Sequence, residues 1–118
     1  MKPLRIYVAG PYTPTTKNLH DAAREAHQNV QRAIKIALEL IRKGHYPFVP
    51  HLSHYIHLNC ELDLGDWWYE YDNTFLEYWA EALFYIAPSK GADAELKLAE
   101  KLGLRIFRSL DEVPEATE

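Results

Sequence analysis

A single cysteine, Cys60, and a single methionine, Met1, stand in a chain of 118 residues. One thiol closes no internal disulfide and supplies no cysteine-rich zinc site, so a reducing, cytoplasmic setting is expected. Positive charge is also scarce. Lys and Arg number 13 against 17 Asp and Glu, a net charge of −4, whereas a nucleic-acid binder carries a basic face. No apolar run approaches the roughly 18 residues of a membrane span, and no signal peptide opens the chain. Five glycines and seven prolines beside 47% hydrophobic residues exclude collagen and low-complexity disorder. What these absences leave is one globular domain over residues 1–118, with no polymeric nucleic acid and no membrane as partner.

Strand and helix signals alternate along the chain. Leu4 to Ala9 is a β-branched and aromatic run ended by Gly10-Pro11, which predicts a first strand, and a loop follows from Tyr12 to Asn18. Leu19, Ala22, Ala23, Ala26, Val30, Ala33, Ile34, Ala37, Leu38 and Ile41 recur at helical spacing and predict one long helix stopped by Gly44. Tyr46 to Pro50 predicts a second strand. His51 to Gly65 reads as a loop with a helical turn. Asp66 is the expected N-cap of a helix reaching Trp79. Ala82 to Ala87 predicts a third strand, Gly91 to Leu102 a further helix with Gly103 as its stop, and Leu104 to Phe107 a fourth strand. Such β-α-β order demands a parallel sheet with helices on both faces. The expected fold is therefore a three-layer, flavodoxin- or Rossmann-like, doubly wound parallel sheet of four to five strands.

In that architecture ligands bind beyond the carboxyl ends of the strands. The loops there supply the candidate substrate-binding residues Gly10, Pro11, Tyr12, His51, Ser89, Lys90 and Gly91. The start of the last helix is an anion site or simply a Ser-capped helix. Glu95 shares a helix face with Ala92 and Ala99, so a carboxylate is expected to point inward in the first turn of that helix, beside the strand ends. It either compensates the helix dipole or is functional. Tyr7, on the first strand, has its hydroxyl near the same edge, as a solvated strand aromatic or as a donor to a carboxylate. Trp67, Trp68, Tyr69, Tyr71, Phe75, Tyr78 and Trp79 crowd one helix on more than one face. One face fills the core, and the surplus lines a pocket or an interface of a homo-oligomer. Asp72 on that helix faces either solvent or an aromatic pocket. His51, His54 and His57 present three imidazoles, but their spacing suits a tetrahedral zinc site poorly, and no metal is expected.

Three segments taken together carry a resemblance. Ile6-Tyr-Val-Ala-Gly-Pro-Tyr12, Trp68-x-x-Tyr-Asp72, and Ser89-Lys-Gly-Ala-Asp-Ala-Glu95 followed by Ala99 and Gly103 resemble the nucleoside 2-deoxyribosyltransferase-like superfamily. The nearest likeness is to its branch of small bacterial, archaeal and phage proteins, and it spans Leu4 to Phe107. The resemblance implies Glu95 as nucleophile, Tyr7 as the hydroxyl that holds it, Asp72 as the contact to the base, and Ser89 with Gly91 as the 5′-phosphate cradle. It also implies cleavage or transfer of an N-glycosidic bond through a covalent glycosyl-enzyme, with no cofactor, on a nucleoside or nucleotide. Glu81 stands where the family often has aspartate, and Ala92 where transferases carry threonine or a similar residue. A second reading thus stays open: a non-catalytic nucleotide-binding or protein-interaction module on the same fold.

Overall fold

The computed structural model describes residues 1–62 and 64–117, apart from the side chains of residues 54, 57 and 58. The expectation about three imidazoles therefore rests partly on His54 and His57 side chains that lie outside the described residues.

The elements run β1 Arg5–Ala9, α1 Leu19–Arg42, β2 Tyr46–Phe48, a 3-10 turn Pro50–Leu52, α2 Ser53–Leu58, α3 Trp67–Tyr78, β3 Ala82–Tyr85, α4 Lys90–Lys101, β4 Arg105–Phe107 and a last 3-10 turn Leu110–Glu112. The four strands form one all-parallel sheet in the order β2-β1-β3-β4. This is the three-layer, flavodoxin-like α/β fold. Tyr7 lies opposite Phe48 on one side and Leu83 on the other.

Strand alternation divides the core in two. Ile6, Val8, Ala82 and Phe84 face α1, where they pack on Ala33, Ala37 and Leu40. Tyr7, Ala9 and Leu83 face the opposite layer, where they meet Leu76 of α3 and Ala92 and Ala99 of α4. The chain winds outward in opposite directions from β1 and β3. A crevice therefore opens between the carboxyl ends of these two strands.

Several expectations need correction. The buried stripe of α1 is Ala26, Val30, Ala33, Ala37 and Leu40. Leu19, Leu38 and Ile41 are exposed instead, because the face is turned by one position toward Leu40. Leu102 is likewise exposed, beyond the end of α4. Asp66 makes no capping hydrogen bond. Its own backbone is already helical, carried in from the turn at Gly65, so its carboxylate cannot reach the first amides. β2 stops at Phe48 because Pro50 opens the 3-10 turn. Gly44 has a positive φ of 91°, where its lack of a Cβ lets the chain leave α1 for β2.

Candidate functional site

A cleft of about 720 Å³ lies beyond the carboxyl ends of the strands, within the usual size of small-molecule sites. The loop after β1, the turn after β2, α3 and the start of α4 all contribute. Every candidate residue from the sequence lines it except Tyr7: Gly10, Pro11, Tyr12, His51, Trp68, Asp72, Ser89, Lys90, Gly91 and Glu95.

Tyr7 lies beneath that surface. It is wholly buried rather than solvated at its tip, and its hydroxyl donates to Oε2 of Glu95. Two facts bring the pair together. Alternation sends Tyr7 to the α4 side of β1. The Ala92–Glu95–Ala99 spacing sends Glu95 to the β1 side of α4, in its second turn rather than the expected first, where the acid is Asp93. The rings of Phe48 and Phe75, stacked with centroids 4.0 Å apart, close the surroundings, with Phe48 5.5 Å from Tyr7.

This apolar setting decides the protonation of the cleft. Burial pushes Glu95 up to about 8. The Tyr7 hydrogen bond opposes the rise and the Asp72 charge adds to it. Burial also pushes Asp72 up to about 7, and its Oδ1 is buried without a hydrogen-bond partner. Tyr7 is raised well above its ordinary value, first by burial and then by the two carboxylates, so its proton stays on the phenol. Two carboxyls in one desolvated cleft thus titrate near neutrality, which is the range of general acid–base work.

At the mouth of α4, Ser89 adopts the extended cap conformation, and its Oγ accepts from the Ala92 amide at 3.0 Å. The Ser89 hydroxyl proton is thereby left to donate. The Lys90 and Gly91 amides are the first of the helix and point outward from its positive end. A Cβ on Gly91 would meet only the Tyr69 ring, at 3.8 Å, so the backbone there is open to approach. Gly10 is different: a Cβ would come within 2.9 Å of Ile86 Cδ1. Its glycine makes room for the core, while its carbonyl faces His51.

His51 is buried, and its Nε2 lies 3.1 Å from the Gly10 carbonyl and 3.0 Å from that of Pro11. Both partners are acceptors, so Nε2 carries the hydrogen and donates. Burial lowers the His51 pKa, which keeps the ring neutral. The imidazole ties the β1 loop to the turn after β2.

Sequence reading missed the residues that hold the opposite wall. Glu25 accepts from the Thr15 amide at 3.0 Å and from its hydroxyl at 2.9 Å, which draws its pKa down. Asn29 Nδ2 donates to the Tyr12 carbonyl at 3.2 Å. The two are spaced i, i+4 on α1, a polar pair beside the apolar stripe that could have signalled them. Glu81 sits at the far end of the sheet, where it accepts from the Arg5 amide at 3.0 Å and pairs with the Arg5 guanidinium at 3.8 Å. The aromatic surplus of α3 packs partly on itself, while Trp67, Tyr69 and Tyr78 stay exposed. Trp67 stacks on Tyr71, and Tyr71 meets Phe75 edge-on. Trp68 and Tyr69 face the cleft, and Tyr78 remains 83% exposed.

Among the described residues, no three His, Cys, Asp or Glu side chains gather into a metal-binding set. Among the same residues, no helix is long and apolar enough to cross a membrane. No protein-family model matches the chain. No curated protein matches it either.

Proposed function

We propose that this protein breaks the N-glycosidic bond of a nucleoside, deoxynucleoside or nucleoside 5′-monophosphate, with Glu95 as the nucleophile. The observation that carries the reading is the Tyr7–Glu95 hydrogen bond at the foot of a cleft that also holds Asp72. Tyr7 fixes one carboxylate oxygen and favours its charged form. The other oxygen is left to capture the anomeric carbon as the bond to the base breaks. Asp72 hands its proton to the departing base, and water or a second base then releases the sugar from Glu95.

The protonation states set a barrier. Burial raises both carboxyls, and the Asp72 charge adds to the rise at Glu95. The productive arrangement has the proton on Asp72 and the charge on Glu95, which is the scarcer of the two singly protonated forms. Positive charge developing at the sugar offsets that cost, because it sits against Glu95.

The α4 start supports a 5′-phosphate on the substrate. Ser89, the Lys90 ammonium and the first amides of the helix offer charge-assisted bonds that a free hydroxyl forgoes. The ligand is thus a small nucleoside or nucleotide rather than a polymer or a membrane, met in the cytoplasm. Exposed Trp67, Tyr69 and Tyr78 support a homo-oligomer, which sedimentation at micromolar concentration checks. The function is tested by incubating the protein with a panel of nucleosides and their 5′-monophosphates and following free base. Release that disappears in Glu95→Gln is expected. No release from any member of the panel overturns the reading and leaves the binding-module alternative.

A further inference from the structure

The charges of the cleft do not balance. Glu25 from α1, Asp72 from α3 and Glu95 from α4 are carboxyls, while Lys90, an exposed side chain, is the cation of the described lining, and His51 is neutral. Glu25 is engaged by Thr15, and Glu95 by Tyr7. Among the described residues, Asp72 has no such donor at Oδ1. Its Oδ1 is buried and unpartnered, and so is Nδ1 of His51, a residue 4% exposed. With Nε2 carrying the ring proton, both leftover atoms are acceptors. Beside Asp72, Trp68 stands at i−4 and Tyr69 at i−3 on α3, and all three line the cleft. An unpaired carboxylate next to aromatic faces is the chemistry that recognises an organic cation.

We infer that the Asp72 side of the cleft takes a base carrying a fixed positive charge: the substrate class is an N-glycosylated pyridinium or an N-alkylated purinium. The catalytic half of this inference rests on the glycosidase reading above; the binding half does not. A fixed cation supplies the charge that the two carboxylates lack, and it changes what Asp72 must do. Glu95 attacks C1′ while the C1′–N bond breaks. The bonding pair moves onto the positive ring nitrogen, so the base leaves neutral without taking a proton. Water then attacks C1′, the ester C–O bond breaks back to the Glu95 carboxylate, and the water's proton passes to Asp72 and on to solvent. The sum is cationic glycoside plus water to free sugar, neutral base and one proton. Asp72 acts as an anion throughout the first step, so the scarce protonated form is not needed.

The binding half is tested with two probes that differ chiefly in charge, 1-methylnicotinamide and nicotinamide, titrated into the full chain at pH 8 by tryptophan fluorescence or calorimetry. The cation is expected to bind at least about tenfold more tightly. Asp72→Asn should bring the two affinities together. Equal binding to the unaltered protein overturns the inference. Should Asp72→Asn fail to fold, added salt decides, since it must weaken the cation alone. The catalytic half compares base release from nicotinamide riboside and inosine, with the cationic riboside expected at least about tenfold faster. Inosine cleaved as fast or faster overturns the inference and leaves the glycosidase reading intact. Tight cation binding with neither glycoside cleaved supports the binding half and overturns the catalytic half.

Discussion

Replacing Glu95 by Gln is expected to stabilise the protein at alkaline pH while removing its activity. The folded state holds the Glu95 proton to about pH 8, whereas the unfolded chain releases it near 4.5. Between these values the folded state binds more protons, so stability falls as pH rises and levels off above 8. At about 1.4 kcal/mol per tenfold change in proton affinity, full desolvation would make this roughly 5 kcal/mol. The side chain keeps some exposure to the cleft, and water there screens the charge, which brings the expectation to about 2–3 kcal/mol. Gln keeps an oxygen to accept from Tyr7 and never ionises. The variant should therefore match the parent at pH 4.5 and exceed it at pH 9, by about 10 °C in thermal midpoint for a chain of this size. His51 contributes with the opposite sign, because its lowered pKa costs stability only as pH falls below 6.5; that contribution cancels in the difference between parent and variant. Thermal melts of both proteins from pH 4.5 to 9 decide the matter. Parallel curves, or a variant less stable at pH 9, would mean that Glu95 is not a desolvated carboxyl, and the argument for its reactivity would go with it.

Tyr7→Phe removes the donor that favours ionised Glu95. The acidic limb of the pH–rate profile should move up by about one unit, and an unmoved profile would separate Tyr7 from the nucleophile. Gly91→Ala meets nothing closer than Tyr69 and should stabilise α4 by about 0.5–1 kcal/mol. The same variant should weaken a 5′-monophosphate about tenfold against its nucleoside in calorimetry, and unchanged phosphate affinity would remove the anion site from the start of α4. Gly10→Ala forces a Cβ to within 2.9 Å of Ile86. Denaturant unfolding should register a loss of about 1–3 kcal/mol, and a neutral result would show that Ile86 can withdraw.

The parts of the fold and site legible in the sequence are those fixed by local periodicity. Alternation in Ile6-Tyr-Val-Ala9 sends Tyr7 to one face, and the i+3, i+4 placement of Glu95 between Ala92 and Ala99 turns it inward. Two local rules, applied independently, meet at one hydrogen bond. The β-α-β order likewise fixes the parallel sheet and hence the end at which the cleft opens. What local rules left dark depends on distant partners. Gly10 is glycine because Ile86, far along the chain, fills the space beside it. Glu25 looks like an ordinary helix acid until Thr15 and Thr16 fold back on it. Asp66 has the chemistry of a cap but not the backbone angles, which the preceding Gly65 turn imposes. Glu81 occupies the strand edge opposite the cleft, so its difference from the family pattern falls away from the candidate residues.

The central claim is that Glu95 forms a bond to the sugar. A 2′-deoxy-2′-fluoro nucleoside bearing an activated base tests it directly. The fluorine withdraws electrons from the oxocarbenium-like states of both steps, the activated base preserves the first, and the covalent glycosyl-enzyme accumulates. Mass spectrometry of the intact chain should then show the added fluorosugar, and peptide mapping should place it on Glu95, with no adduct in Glu95→Gln. Base release without any adduct, or an adduct on another residue, would contradict the account.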